Sequence, residues 1–506
     1  GAQVYLGGMA LATDGTLNEV GGTFRASQLI TIHGGLSTDH ISVKMPGTAR
    51  LSTARDNGRI EISGQGDANL FGQIVAGGEI IDKYDALGGF LGGMPVYADG
   101  DSEIVILSSG QIQLGKGLVA GKLIDVRGGS GMLTPTVNEP WLDDGVVLNS
   151  DTRLRTSREN SEIRLSASGD VTVMAPAWTR EVLADDFAEF ASGKLSGDVR
   201  FSMTIGFGGT TGTQTAVVTV SQANAADNST RLNLVADVQA AIVSAFSAQG
   251  LTADQIKVRD FNGRLQIVSA GYEFSLQSVA SGQAQRLGLT QIGASKTTGT
   301  SVNAVYMPAI DASARGSKVT IGNPTLESGS VTIANYIRAY DSINFNTLPR
   351  ASGAQNVNLT SSSKLETLSG GMVLSPAGTA VIEGELVAKG RYADIVINAK
   401  NTLEIRGKLT AQRDIIVNAG TQATVQAGEV SLRTTGTSVL STLDAGGRIV
   451  LNGLNDVVIN STVGTNNPNL ARLDIQSTQG TLTIAQAGGW VETGALMTLK
   501  GRDVVI

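Results

Sequence analysis

The 506-residue chain has no cysteine, which excludes disulfides, thiolate metal sites and thiol catalysis. Histidine is nearly absent as well: His33 and His40 are the two copies, and two histidines without cysteine make a poor metal site. Each reads as a surface or turn residue. Ten prolines are too few for a proline-rich disordered chain, and no Gly-X-Y period marks a collagen. Aromatic residues make up only 4 %. No apolar run approaches the ~18 residues that span a bilayer, so no membrane insertion is expected. The 38 basic and 45 acidic residues give a net charge of −7, and no basic run offers a surface to nucleic acid or to an anionic membrane.

What is plentiful is glycine, at 64 residues, beside a 41 % hydrophobic fraction that can bury a core. The search for internal repeats then decides the architecture. Asp394-Ile395-Val396-Ile397-Asn398 recurs twenty residues later as Asp414-Ile415-Ile416-Val417-Asn418, and again as Asp456-Val457-Val458-Ile459-Asn460 and Asp503-Val504-Val505-Ile506. Between the first two copies lies Thr402-Leu403-Glu404-Ile405-Arg406-Gly407-Lys408-Leu409-Thr410-Ala411. Runs of three to five alternating β-branched residues bounded by Gly, Asn, Asp and Ser are strand signals, too short for helices.

A unit of about twenty residues with three short strands matches one coil of a parallel β-helix. The fold class is therefore all-β, a right-handed parallel β-helix with one small inserted α+β domain, the hand following from the crossover rule for parallel strands. About twenty coils and a length on the order of 90 to 100 Å are expected. A narrow interior favours Val, Ile, Leu, Ala and Thr over rings, and glycine is expected at corners that need φ > 0. Both ends break off in strand-like sequence, Val4-Tyr5-Leu6 and Asp503-Val504-Val505-Ile506, so the chain is expected to be a segment of a longer protein.

The cadence fails between about residues 179 and 298, which divides the chain into solenoid 1–178, insertion 179–298 and solenoid 299–506. Glu181 to Ala191 reads as a short amphipathic helix ending at Gly193, with Asp185 and Asp186 on it. Val199 to Ile205 and Thr215 to Val220 read as a strand pair. Capping residues Asp227, Asn228, Ser229 and Thr230 precede Leu232, Leu234, Val235, Val238, Ala241, Ile242 and Phe246 at helical spacing. Ile256-Lys257-Val258, Arg264 to Val268 and Phe274-Ser275-Leu276 return to strands.

On those residues, together with Asn262-Gly263-Arg264-Leu265-Gln266-Ile267 and Ala284-Gln285-Arg286-Leu287-Gly288-Leu289, the stretch from about Ser196 to Gln291 resembles the flagellin hook IN motif. Val238-Gln239 stands where that family's helix usually carries Ile-Asn. The solenoid, on Gly121-Lys122-Leu123-Ile124-Asp125-Val126, Ser168-Gly169-Asp170-Val171-Thr172-Val173 and the Asp-Ile-Val-Ile-Asn phrases, resembles filamentous-haemagglutinin-like exoproteins and giant bacterial adhesins. These resemblances imply a non-enzymatic, structural or adhesive segment of a secreted or surface-anchored bacterial fibre, at the cell surface or outside the cell. Its partners would be a host or neighbouring-cell surface molecule, matrix or glycan, the remainder of the same giant chain, and other copies end to end.

Few residues stand out as sites. Asn398, Asn418 and Asn460 follow equivalent strands and are expected to stack as a ladder of amides; the alternative is turn asparagines facing water. Trp141, after Pro140 in a coil-breaking loop, is the candidate contact residue, while Trp178 and Trp490 read as caps over apolar layers. Parallel β-helices also house polysaccharide lyases and glycoside hydrolases, which use carboxylates on one outer face, and cleavage would need two of them about 5 to 9.5 Å apart. Asp143-Asp144 and Asp185-Asp186 are the candidates for that alternative reading. Adjacent strand residues point to opposite faces, and Asp185-Asp186 sits on the expected helix, where a solvated charge is the default, so no catalytic residue is assigned.

Gly64-Gln65-Gly66-Asp67-Ala68-Asn69-Leu70 echoes, in a single copy, the glycine-aspartate array that holds calcium, and one copy cannot build the repeated turn. Gly206-Phe207-Gly208-Gly209-Thr210 lacks the lysine and following helix of a phosphate loop. No metal or cofactor is expected.

Overall fold

The computed structural model describes residues 3–7, 21–35, 41–47, 49–77, 80–84, 90–95, 100–129, 145–176, 180–185, 187–206, 213–247, 256–261, 264–269, 273–280, 283–292, 301–306, 308–322, 329–346, 355–421, 429–464, 470–485, 490–494 and 496–506. The chain divides into two compact units. Gly1–Glu79, Tyr97–Pro176 and Pro308–Ile506 form one; Ile80–Val96 and Ala177–Met307 form the other.

The first unit is a parallel β-helix. One coil runs through Ile395–Ala399, Leu403–Ile405 and Lys408–Ala411, and Asp414–Ala419 opens the next. Along each strand alternate residues turn inward: Ile395, Ile397, Leu403, Ile405, Leu409 and Ala411 are all buried. Each strand pairs in parallel with its counterpart one coil on, which builds three sheets of 14, 13 and 13 strands among the described residues. Chain order visits the first, second and third sheet in turn.

In-register stacking places like on like. Ile60, Ile104, Ile124 and Ile163 form one inward column of the first sheet. Leu365, Leu386, Leu409 and Leu440 form one of the third. Each such buried aliphatic side chain contributes about 1.5–3 kcal/mol. At the end of the third sheet the column narrows to Ala and Thr: Ala312, Ala339, Thr367, Ala388, Ala411 and Thr442 succeed one another. After Ala411 the corner into the first sheet is only two residues long, with Asp414 opening the next strand. Buried Thr53 and Thr367 turn their hydroxyls to the backbone of that corner, Thr53 accepting from Gly77 N–H and Thr367 donating to the Gly370 carbonyl. Of the three largest fully buried rings, Phe345 lies in this core, whereas Phe190 and Phe201 lie in the second unit.

The twenty-residue spacing holds from Asp394 to Asp414, but Arg448 follows Asp414 by 34 residues and Glu103 follows Arg59 by 44. Corners, not strands, absorb the difference. Fourteen strands at about 4.8 Å therefore span roughly 60 Å, shorter than the expected 90 to 100 Å. The four Asp-led phrases also divide: those at Asp394 and Asp414 lie in the first sheet, those at Asp456 and Asp503 in the second. The phrase marks a strand entered from a corner, and both sheets need one.

Glycine has a second role beyond the positive φ expected of it. Gly390, at φ 109°, is a residue of the expected kind. At the corner into the second sheet, by contrast, an acidic or amide side chain clips the next coil. Asp67 accepts from Gln111 N–H at 2.8 Å, Asp170 from Ser330 N–H at 2.8 Å, Asn356 from Thr379 N–H at 3.0 Å and Asp456 from Thr481 N–H at 2.7 Å. The residue before each donor is Gly110, Gly329, Gly378 or Gly480, and a Cβ there would overlap the clipping side chain or its backbone. The Gly64-to-Leu70 stretch, with its Gly-Asp pair, is one such corner.

The second unit has its own core and interrupts the solenoid between Val171–Val173 and Ile310–Ala312. The solenoid ladder nonetheless continues across the gap: Leu154 pairs with Ile310, Ile163 with Val319 and Val171 with Val331. The unit contains two four-stranded antiparallel sheets. One joins Val199–Gly206 to Thr213–Val220 and Glu273–Ser278. The other joins Arg180–Leu183 to Arg264–Ser269 and Ile256–Phe261. An antiparallel pair, Ile80–Tyr84 with Phe90–Pro95, also groups with this unit, although it falls in the 1–178 span given to the solenoid from sequence.

The helix expected from Glu181 to Ala191 is instead strand Arg180–Leu183 followed by a short helix, Ala188–Ser192, closed by Gly193 at φ 79°. Pairing of Val182 with Ile267 buries more than an isolated amphipathic turn would. The main helix, Arg231–Ser247, buries Leu234, Val238, Ile242 and Phe246 and leaves Leu232 62 % exposed, so Leu232 is not part of the buried face. Thr230 and Asn233 cap its start. Gln239, in the dipeptide that departs from the IN pattern, places its amide against the neighbouring strand, donating to the Ile256 carbonyl at 3.1 Å and accepting from Val258 N–H at 2.7 Å.

Gly110→Ala is expected to destabilise the solenoid by about 1–3 kcal/mol through overlap with Asp67. Gly446→Ala, whose Cβ would meet open space, is expected to change stability by less than about 0.5 kcal/mol. Urea unfolding of the two variants beside the parent chain checks this; equal midpoints would refute the clip.

Candidate functional site

Two outward-facing polar groups stand out, one on the first sheet and one on the third. On the first sheet the strands from Ile395–Ala399 to Arg472–Ser477 present three outward columns. The middle column is aliphatic, with Val396, Ile416 and Val450 in register before Asp474. One flank is an amide ladder. Asn418 Nδ2 donates to Asn398 Oδ1 at 2.8 Å, Asn452 Nδ2 donates to Asn418 Oδ1 at 2.9 Å, and Gln476 stands next in register. Identical amides repeat at the strand spacing, so each can give one N–H and take one carbonyl bond along the column.

Asn460 is not in this ladder. It follows Asp456–Ile459 in the second sheet, where its backbone N–H donates to Thr434 Oγ1 at 3.1 Å. Asn452 stands in the place expected for it. The shared phrase Asp-Val-Val-Ile-Asn concealed the change of sheet.

The other flank is ionic. Arg413 Nε donates to Asp394 Oδ1 at 2.8 Å, and the same oxygen accepts the Asp414 N–H at 3.1 Å. Arg448 Nη2 donates to Asp414 Oδ2 at 2.6 Å, and its own N–H reaches Asp414 Oδ1 at 3.0 Å. Each aspartate thus holds both the backbone and the guanidinium of the coil above. The ring of Tyr392, 66 % exposed, has the Arg391 and Arg413 guanidinium groups 5.5 and 5.9 Å from its centre.

On the third sheet, the outward Asp311, Tyr336 and Glu366 are buried. Tyr336 donates its hydroxyl to Glu366 Oε2, and Lys389 Nζ lies 2.6 Å from Glu366 Oε1. Arg338 forks onto Asp311 through Nε at 3.2 Å and Nη2 at 3.0 Å. Lys364 Nζ sits 5.6 Å from the Tyr336 ring centre and 3.5 Å from Glu385. Asn335 closes one side, donating to the Met174 carbonyl at 3.1 Å and accepting the Tyr336 N–H at 2.8 Å. Burial, followed by the hydrogen bond to Glu366, raises the Tyr336 pKa. Burial alone would raise the Glu366 carboxyl, but hydrogen bonds from Lys389 and Tyr336 and the lysine charges outweigh it and hold the carboxyl below its ordinary value.

The same balance recurs at Glu162, where burial is overcome by Arg164, Thr320 and Lys318. Asp101 is lowered chiefly by its hydrogen bond to Arg158. These carboxylates are held ionised by cations, the opposite of what a general acid needs.

Of the carboxylates weighed for glycan cleavage, Asp143, Asp144 and Asp186 lie outside the described residues, as do Trp141, Trp178 and His40. Asp185 pairs with Arg264 at 3.6 Å and accepts the Thr290 hydroxyl, between strand and helix and not on a helix. His33 is exposed, its Nδ1 against Ser63 Oγ. Trp490 belongs to strand Trp490–Val491, opposite Thr462. Among the described residues no group of three or more His, Cys, Asp or Glu side chains could hold a metal.

The Tyr336 cluster gave no sign in the sequence. Tyr336, Lys364 and Glu385 align only once the variable coil lengths are known. Comparison with family models, with curated proteins and with solved structures finds no match to this chain.

Asn418→Ala removes two ladder bonds and is expected to lower stability by about 1–3 kcal/mol, whereas Asn460→Ala is expected to cost less than about 0.5 kcal/mol. Thermal unfolding of the pair checks the assignment. At the third-sheet cluster, the Glu366 pKa is lower folded than unfolded, so its stabilising contribution is present above about pH 4.5 and is lost as pH falls through the folded value. The stability difference between the parent chain and Glu366→Gln, measured by urea unfolding, is therefore expected to shrink steadily as pH drops below about 4.5.

Proposed function

We propose that this chain is a non-enzymatic structural and adhesive segment of a large bacterial fibre, secreted or held at the cell surface. The observation that carries this reading is the in-register stacking of three parallel sheets, which continues through Ile163 and Val319 although 156 residues separate Ser161 from its stacked partner Ser317. A scaffold of this kind tolerates long corner excursions, because the ladder on either side re-forms directly. It can thus carry a folded unit with its own core without loss of continuity.

Further support comes from the outward charges. Several of them are tied into ion pairs between coils, as in Arg448 with Asp414 and Arg406 with Glu383, an arrangement that stiffens a stack. The repeated phrases resemble those of filamentous-haemagglutinin-like exoproteins, in which a rod carries contact regions away from the cell. On this reading the partners are cell-surface molecules, matrix or glycans, met by corner loops, by the Trp141 segment that the sequence reads as a loop, or by the inserted unit.

Beads coated with the chain are expected to be retained on cells, matrix or immobilised glycans more strongly than beads coated with an unrelated protein. Incubation with acidic and neutral polysaccharides is expected to leave chain length unchanged. Absence of retention on every surface would defeat the adhesive reading, and turnover abolished by Asp143→Ala would replace it with an enzymatic one.

A further inference from the structure

We propose that Asn57 is a site of spontaneous covalent modification, converting slowly to aspartate and isoaspartate, and that this ageing loosens the strand that follows it. Three Asn-Gly pairs occur in the chain, at Asn57, Asn262 and Asn452. In such a pair the glycine nitrogen, unhindered by a side chain, attacks the asparagine Cγ. The nitrogen gives up its proton to solvent base, the side-chain amide leaves as ammonia, and a succinimide ring remains. Water then opens the ring at either carbonyl, and the proton released with the carboxylate is taken up by the ammonia, so the balance is amide plus water to carboxylate plus ammonium.

The structure sets the two described pairs far apart in reactivity. Asn57 is exposed in the turn between the third and first sheets. The Gly58 N–H donates to the Arg55 carbonyl at 2.7 Å, so ring closure waits only on that turn opening. Gly58 itself is fixed by packing, since a Cβ there would overlap Thr53 Oγ1 and Cβ. The fold therefore requires the glycine that makes Asn57 labile. Asn452, in contrast, lies inside strand Arg448–Gly453, paired on both sides with Asn418 and Gln476, and its side-chain amide is held by Asn418. Its Cγ cannot reach the Gly453 nitrogen until three strands part, a rarer opening than that of an exposed turn.

Isoaspartate would add one backbone atom to the turn that sets Gly58 on Arg55 and, next, the Arg59 N–H on the Gln28 carbonyl at 2.7 Å. Either product also places a carboxylate beside Asp56. Both changes act on strand Arg59–Gly64.

The test is peptide mapping by mass spectrometry of the intact chain, folded and in urea, over weeks at mildly alkaline pH. In the folded chain the Asn57 peptide is expected to convert at least about tenfold faster than the Asn452 peptide, and the two rates are expected to converge in urea. Equal rates in the folded chain, or an unconverted Asn57, would overturn the proposal. The converted fraction, separated by charge, is expected to exchange the amide hydrogens of Arg59–Gly64 faster than the unconverted fraction; unchanged exchange would overturn the loosening.

Discussion

Every other feature of this molecule depends on one constraint: a strand hydrogen-bonds to its own counterpart one coil away, in register. That pairing leaves little freedom to offset side chains: apart from one-residue shifts at Ile41/Val43 and Val430/Leu432, paired strand residues meet the residue at the same station one coil on, at roughly 4.8 Å. Inside, the result is uniform columns such as Ile60, Ile104, Ile124 and Ile163. Outside, it is the amide ladder of Asn398, Asn418 and Asn452, where one side chain type can satisfy itself indefinitely.

The same constraint turns charge into a problem that must be solved locally. Arg448 and Arg472 stand opposite each other in register, a like-charged pair at the shortest inter-strand distance. Each turns to a different carboxylate, Arg448 to Asp414 and Arg472 to Asp474. At the third sheet Glu366 takes both a lysine and a tyrosine hydroxyl, and Asp311 takes a bidentate arginine. At Glu366 the hydrogen bonds from Lys389 and Tyr336 and the lysine charges outweigh burial and hold the carboxyl below its ordinary value.

Corners are where variation is permitted. A strand gains at most a one-residue shift, as at Val430/Leu432, but a corner can hold two residues, as after Ala411, or more than a hundred, as after Val173. Glycine follows from the same geometry. At Gly110, Gly329, Gly378 and Gly480 it is required by the approach of the adjacent coil and its clipping side chain, a demand that comes from the partner coil and not from local backbone conformation.

The sequence by itself determined the class of fold, because alternation of inward Val, Ile and Leu with outward polar residues is a local property, and because Asp394 and Asp414 are one minimal coil apart. It also marked the insertion, where a 3.6-residue period at Leu234, Val238 and Ile242 replaces a period of two. Only the tertiary structure decided which copies stack. Asn452 and not Asn460 continues the ladder, Glu181 lies on a strand and not on a helix, and Tyr336 meets Glu366, because register between coils is set by corner lengths that leave no periodic trace. A strand knows its faces from its own residues; it learns its neighbour from the length of chain between them.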